Sequence, residues 1–127
     1  MTVRSVGFLM PKYSRRSTSC WPLVVEAVAD LGADVEIVHP LAGPLELSAL
    51  RLRHDLYVLR KLSGLSLSLA GALHELGAAI VNPYPATAAI HDKIVAAGAL
   101  QRAGVTFARR PTDMTPADLA KNFGIMP

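Results

Sequence analysis

The chain of 127 residues contains a single cysteine, Cys20. No disulfide framework can hold it, so its fold must rest on a core, and a reduced, cytoplasmic setting is the expectation. It also lacks a long apolar run. The longest, residues 65–81, is broken by Ser66, Ser68, His74, Glu75 and Gly77. A membrane span needs about 20 mostly apolar residues, so this stretch reads as a buried helix followed by a strand. Near the start, Arg4 precedes a short apolar run, and Lys12, Arg15 and Arg16 follow at once. A secretory signal core is therefore not expected. Charge of one sign is scarce as well. Thirteen Lys and Arg against ten Asp and Glu leave only +3, too mild an imbalance to argue for nucleic acid. The four histidines, His39, His54, His74 and His91, are scattered with no metal-ligand spacing. No internal repeat or low-complexity tract is present.

What remains is ample apolar material. Apolar residues are 51% of the chain and charged ones 18%, too apolar for disorder and long enough for about one domain with one core. Residues 3–10 (VRSVGFLM) read as a strand. Residues 11–19 form a polar loop, and residues 21–31 a helix capped near Ser19 and stopped by Gly32. Residues 34–39 (DVEIVH) alternate as a strand does. Residues 45–53 read as a short helix, 55–59 (DLYVL) as a third strand, 63–76 as a helix ended by Gly77, and 78–81 as a fourth strand. The two prolines of Asn82-Pro83-Tyr84-Pro85 predict a rigid loop. Residues 92–103 then form a helix closed by Gly104, residues 105–108 a last strand, and residues 115–121 a helical stub. Alternating strands and helices predict an α/β fold of three layers, α-β-α, over a four-stranded parallel sheet of order 2-1-3-4.

In such a sheet, ligands bind beyond the carboxyl ends of the strands, where strand order reverses. That point lies between strands one and three. Lys12, Arg15, Arg16, Arg60 and Lys61 converge on it from the two flanking loops, with Ser14, Ser17, Thr18 and Ser63. Cations facing helix N-termini favour an anion, a carboxylate or a phosphate. No G-x-G-x-x-G follows strand one and no G-x-x-x-x-G-K-[ST] occurs, which argues against a dinucleotide fingerprint and a P-loop. Strand one leads into Met10-Pro11-Lys12 and strand three into Arg60-Lys61, the wrong charge for a receiver-type Mg²⁺ site. Cys20 has no evident base beside it.

The segment NPYPATAAIHDKIV (residues 82–95), followed by LQRAGV (100–105), resembles the junction between the N-terminal domain and the ATP-binding region of ATP-grasp ligases. The similarity is to the ribosomal-modification glutamate ligase and glutathione-synthetase-like branch. It covers residues 3–105, with Arg60 after strand three as a further point of likeness. The resemblance implies a half-Rossmann pre-ATP-grasp domain over residues 1–105, with 106–127 as the start of the ATP-grasp region or a tail. It implies that Lys93 contacts ATP phosphates, that Asp92 favours its helix start, and that Asn82 satisfies loop backbone groups. Arg60, Lys61, Lys12, Arg15 and Arg16 would face a small carboxylate substrate. The complete enzyme would use ATP and Mg²⁺ to form an acyl phosphate that an amine or thiol then attacks. The β-rich clamp and the acidic Mg²⁺ ligands of that family are not found in this sequence. The expectation is therefore a substrate-side domain, inactive alone, with the missing ATP-grasp domain supplied in cis or in trans. The alternative is a stand-alone anion-binding or partner module, a split-enzyme subunit or an adapter, which could be a homodimer. No nucleic acid, membrane or protein-held metal is expected.

Overall fold

The computed structural model describes residues 2–40, 43–60, 64–105 and 117. The chain forms two compact units, Met1–Ala86 and Thr87–Pro127. In the first, the apolar run after Arg4 makes β1 (Ser5–Leu9). It is followed by α1 (Trp21–Asp30), β2 (Asp34–Val38), a single 3₁₀ turn (Leu47–Ala49), β3 (Leu56–Leu59), α2 (Gly64–Glu75) and β4 (Ile80–Val81). All pairings are parallel, in the order β2-β1-β3-β4. The expected three-layer arrangement and strand order are what the chain adopts.

The pleat of β1 separates two apolar faces. Val6, Phe8 and Met10 point to the layer of α1, where Trp21, Val24, Val25 and Val28 meet them with Val35 and Ile37 of β2. Leu9 points the other way, with Tyr57 and Leu59 of β3, onto Leu69, Ala70 and Leu73 of α2. Each face is thus closed by one helix, as a parallel sheet requires.

Three local expectations change. Residues 45–53 do not form the short helix but one 3₁₀ turn, with Leu50 already extended at ψ 127°. Arg51 Nη1 donates to the carbonyls of Ser48 (3.1 Å) and Leu50 (2.8 Å), and the N–H groups of Arg53 and His54 go to the Tyr57 hydroxyl. Those groups are then lost to a helical ladder, and so short a helix is marginal alone. The fourth strand is shorter than expected because Gly77, at φ +86°, and Ala78 cap α2 by donating to His74 and Leu73. The proline loop after β4 is in fact the start of α3 (Tyr84–His91). Prolines in a first turn forfeit no helical hydrogen bond.

In the second unit, Asp92 caps α4 (Lys93–Arg102), its Oδ1 accepting from the N–H groups of Ile94 (2.9 Å) and Val95 (3.1 Å). The expected strand beyond Val105, the stub at 115–121 apart from Ala117, and Lys61 lie outside the described residues. Among the described residues, no helix is long and apolar enough to cross a membrane.

At the amino ends of the central strands, Asp55 ties β3 to β1. Its Oδ2 accepts from the N–H groups of Arg4 (2.8 Å) and Ser5 (3.0 Å). These backbone donors hold its carboxyl below the ordinary range. A carboxyl lowered on folding adds stability above its unfolded value, near 3.8, and forfeits it as pH falls through the lower folded value. Asp55→Asn should therefore destabilise the chain at neutral pH and leave its stability less sensitive to pH below about 4. Urea unfolding at pH 7 and at pH 3 checks this: the gap between wild type and variant should narrow at the acid end.

Candidate functional site

The strand-order reversal between β1 and β3 opens a cleft of about 450 Å³ at the carboxyl end of the sheet. Its floor comes from Met10 and Pro11, its walls from Lys12, Tyr13 and Trp21, and its far side from Arg60. Arg60 sits where β3 ends, its backbone N–H donating to Leu9 O at 3.3 Å. Its guanidinium carbon lies 5.0 Å from the centre of the Trp21 ring, a cation-π contact worth about 0.5–1 kcal/mol at an exposed site. The stack holds the long side chain in one place and leaves its fork of donors for a ligand. Trp21 is itself held edge-on by Phe8, with ring centres 6.3 Å apart. The core thus carries the tryptophan and the tryptophan carries the cation.

Three hydroxyls complete the lining: Ser14, Ser17 and Ser19. Ser17 Oγ accepts from the Ser19 N–H and Ser19 Oγ from the Trp21 N–H, both at 3.3 Å. Each keeps its O–H to donate. Among the described residues no carboxylate lies within ion-pair distance of Lys12 or Arg60. The cleft presents the Arg60 guanidinium and serine hydroxyls, the complement of a small anion; Lys12 also borders a groove that contains Glu26 and Glu36.

Of the expected substrate contacts, the structure brings Lys12 and Arg60 into this lining. Arg15 and Arg16 sit exposed on the outer turn closed by the Ser17 N–H to Ser14 O bond of 3.0 Å, outside the cleft's walls. One expectation is revised. The start of α1 does not offer a row of unspent N–H groups. Cys20, not Ser19, is the capping residue and gives no side-chain cap, Pro22 has no N–H, and Leu23 and Val24 donate to Cys20 O. The attraction comes from side-chain charge, with no acidic residue in the first turn to oppose it. Asn82 stands at the end of β4 with φ 61°, a conformation asparagine tolerates, and its Nδ2 donates to Leu59 O at 2.9 Å. Trp21 was not among the sequence candidates. A tryptophan opening the helix after strand one, with an arginine ending strand three, is the pattern that would have found it.

No protein-family model and no curated protein sequence matches the chain. The functional argument therefore rests on the geometry and on the Rossmann-like layering, an architecture shared by many enzymes that handle nucleotides or acyl phosphates and compatible with that of ATP-grasp enzymes.

In the second unit, Lys93 is the exposed first residue of α4. The Asp92 carboxylate already occupies the two N–H donors behind it, so the start of this helix offers a phosphate one ammonium. Among the described residues no three His, Cys, Asp or Glu side chains lie together to hold a metal ion, and nucleotide-bound Mg²⁺ calls for placed carboxylates.

Proposed function

We propose that the cleft binds the carboxylate or phosphate of a small anionic molecule, and that the chain is the substrate-side unit of an ATP-dependent carboxylate–amine or carboxylate–thiol ligase of ATP-grasp type. The observation that carries the anion site is Arg60 stacked on Trp21 in a cleft that Lys12 also lines, with no carboxylate within ion-pair distance of Arg60 among the described residues. The ligase reading is supported by the parallel sheet of order 2-1-3-4 and by the Asn82, Asp92-Lys93 and Gly104-Val105 run that resembles the family. In that reading the chain orients an acceptor carboxylate by charge-assisted hydrogen bonds from Arg60, Lys12 and the serine hydroxyls. Lys93 would contact the phosphates of bound ATP, which would supply the phosphoryl group that turns the carboxylate into an acyl phosphate, with ADP as the leaving group.

The chain has one tryptophan, so Trp21 reports on the cleft directly. Titration with glutamate or inorganic phosphate should engage Arg60 on the ring and change Trp21 fluorescence, with a dissociation constant on the order of 1 mM, weakened by added salt. Arg60→Ala should weaken binding at least about tenfold, the scale of one hydrogen bond to a charged group. A saturable signal that Arg60→Ala leaves untouched would remove the site. The ligase reading is tested separately: the chain alone, given ATP, Mg²⁺, glutamate and an amine, should release no ADP above background, and turnover would show that it needs no further unit.

A further inference from the structure

The sheet ends on one side in β4, only two residues long, and on the other in β2, five residues in unbroken register with β1. At the two ends of that pairing the Asp34 N–H donates to Arg4 O (2.8 Å) and Val38 O accepts from the Met10 N–H (3.3 Å). Alternate residues of a strand turn their backbone groups to the same neighbour. Asp34, Glu36 and Val38 are thus spent on β1, while Val35 and Ile37 turn their N–H and C=O groups outward. Among the described residues no strand pairs with them. Short length, lysines, prolines and bulges are the devices that blunt such an edge. β2 carries no lysine, proline or bulge, and its charged residues, Asp34 and Glu36, are of one sign.

Beside this edge, between α1 and β2, lies an open groove of about 670 Å³. Val25 and Ala29 of α1, Val35 and Ile37 of β2, and Tyr13 supply its apolar lining, and Glu26 an acidic wall. Val25, Val35 and Ile37 belong to the outer part of the α1 core and are only half-buried. Glu36 borders the groove as well. Its side chain serves the other face of the sheet, where Oε2 lies 2.8 Å from His54 Nε2, yet it stays 52% exposed. Asp34 is exposed at the start of the strand. The surface thus carries three acidic side chains, with Lys12 the single cation in its lining. Its shape asks for an extended chain and its charge for a basic one.

We infer that the outer edge of β2 and its groove bind an extended segment of a partner protein in which apolar and basic residues alternate, added to the sheet as a further strand. The partner's main chain pairs with the outward N–H and C=O groups of Val35 and Ile37. Its apolar side chains enter the groove against Val25 and Ala29, and its lysines or arginines turn to the other face, beside Asp34 and Glu36. In this mode main-chain bonds supply affinity and pockets for alternate side chains supply specificity. Nothing in it uses Arg60 or Trp21, so it stands or falls apart from the anion cleft.

The probe is a peptide of about seven residues, an ordinary strand length, in which valine and lysine alternate. Amide NMR with hydrogen exchange on the whole chain is the readout. In the free protein the Val35 and Ile37 N–H groups should exchange fast, and saturating peptide should protect both. A peptide of the same composition, with its valines and lysines in separate blocks, should not. Methylating every second amide nitrogen of the probe gives two versions. The one that blocks the N–H groups facing β2 should lose binding, and the other should keep it. Asp34→Asn and Glu26→Gln, both at exposed positions, should each weaken binding by up to about fivefold, the scale of an opposite-charge cross-strand pair. Any of four outcomes would overturn the inference: Val35 and Ile37 already protected in the free chain, equal protection by the block peptide, two methylated versions that behave alike, or affinity unmoved by both charge variants.

Discussion

Phe8→Ala is expected to lower the free energy of unfolding by about 3–5 kcal/mol, a large share of the 5–15 kcal/mol typical of folded domains. Phe8 is 1% exposed and sits in β1, the strand paired on both sides. Its removal empties the centre of the α1 face, and a sheet hydrogen-bonded on both edges of that strand has little freedom to collapse into the gap. The effect should reach the cleft. Trp21 loses the ring it rests on, and Arg60 loses a fixed platform. Anion binding should therefore weaken in the variant even where it remains folded. Urea unfolding followed by circular dichroism, with Trp21 fluorescence during a phosphate titration, measures both. Phe8→Leu, closer in volume, should cost under about 1.5 kcal/mol and largely keep the binding. A loss below 1 kcal/mol in Phe8→Ala would mean that this face is not packed as described.

The second large effect belongs to Gly7→Ala, expected to cost about 1–3 kcal/mol through overpacking. The added methyl would stand 2.7 Å from His54 Cδ2 and 3.0 Å from Tyr57 Cδ1. Neither atom is the free end of a flexible chain. The imidazole is tethered to Glu36 and the phenol ring to the backbone of Arg53 and His54. The ring must move, and the 2.8 Å bond to Glu36 should break with it. A double-mutant cycle isolates this cause. With His54→Ala in place, the same glycine substitution should cost less, leaving a coupling of about 0.5–3 kcal/mol between the two positions. Strict additivity would show that the close approach is not what glycine serves.

The layering and the strand order were legible because the evidence for them is local and repeated. Gly32 and Gly77 each end a helix and precede a strand, and the alternation in Asp34–Val38 marks an edge strand with one buried face. The boundary errors came from competition for backbone groups. Prolines read as loop-formers around Tyr84 open α3 instead. Tyr84 settles against α2 so closely that a Cβ at Gly71 would stand 3.0 Å from its ring. In 45–53, Arg51 and the Tyr57 hydroxyl take carbonyls and N–H groups that a helix would need. Of the cleft, Lys12 and Arg60 were readable as strand-end cations, while the stack on Trp21 was not, because it joins residues 39 apart in sequence through the packing of α1 on β1. His54 was the least legible. Its partner is 18 residues away and reaches it only because β2 and β3 flank β1 at Gly7. A lone glycine inside an otherwise apolar strand was the clue, since such a position marks a close approach by another group.

Among the described residues no strand pairs with the outer edge of β2, and that open rim carries Asp34 and Glu36. Were two molecules to dock antiparallel along it about a twofold axis through Glu36, that carboxylate would face its own copy, and like charges opposed across a ladder repel. The glutamate that tethers the imidazole would then also guard the margin of the sheet against runaway self-templating.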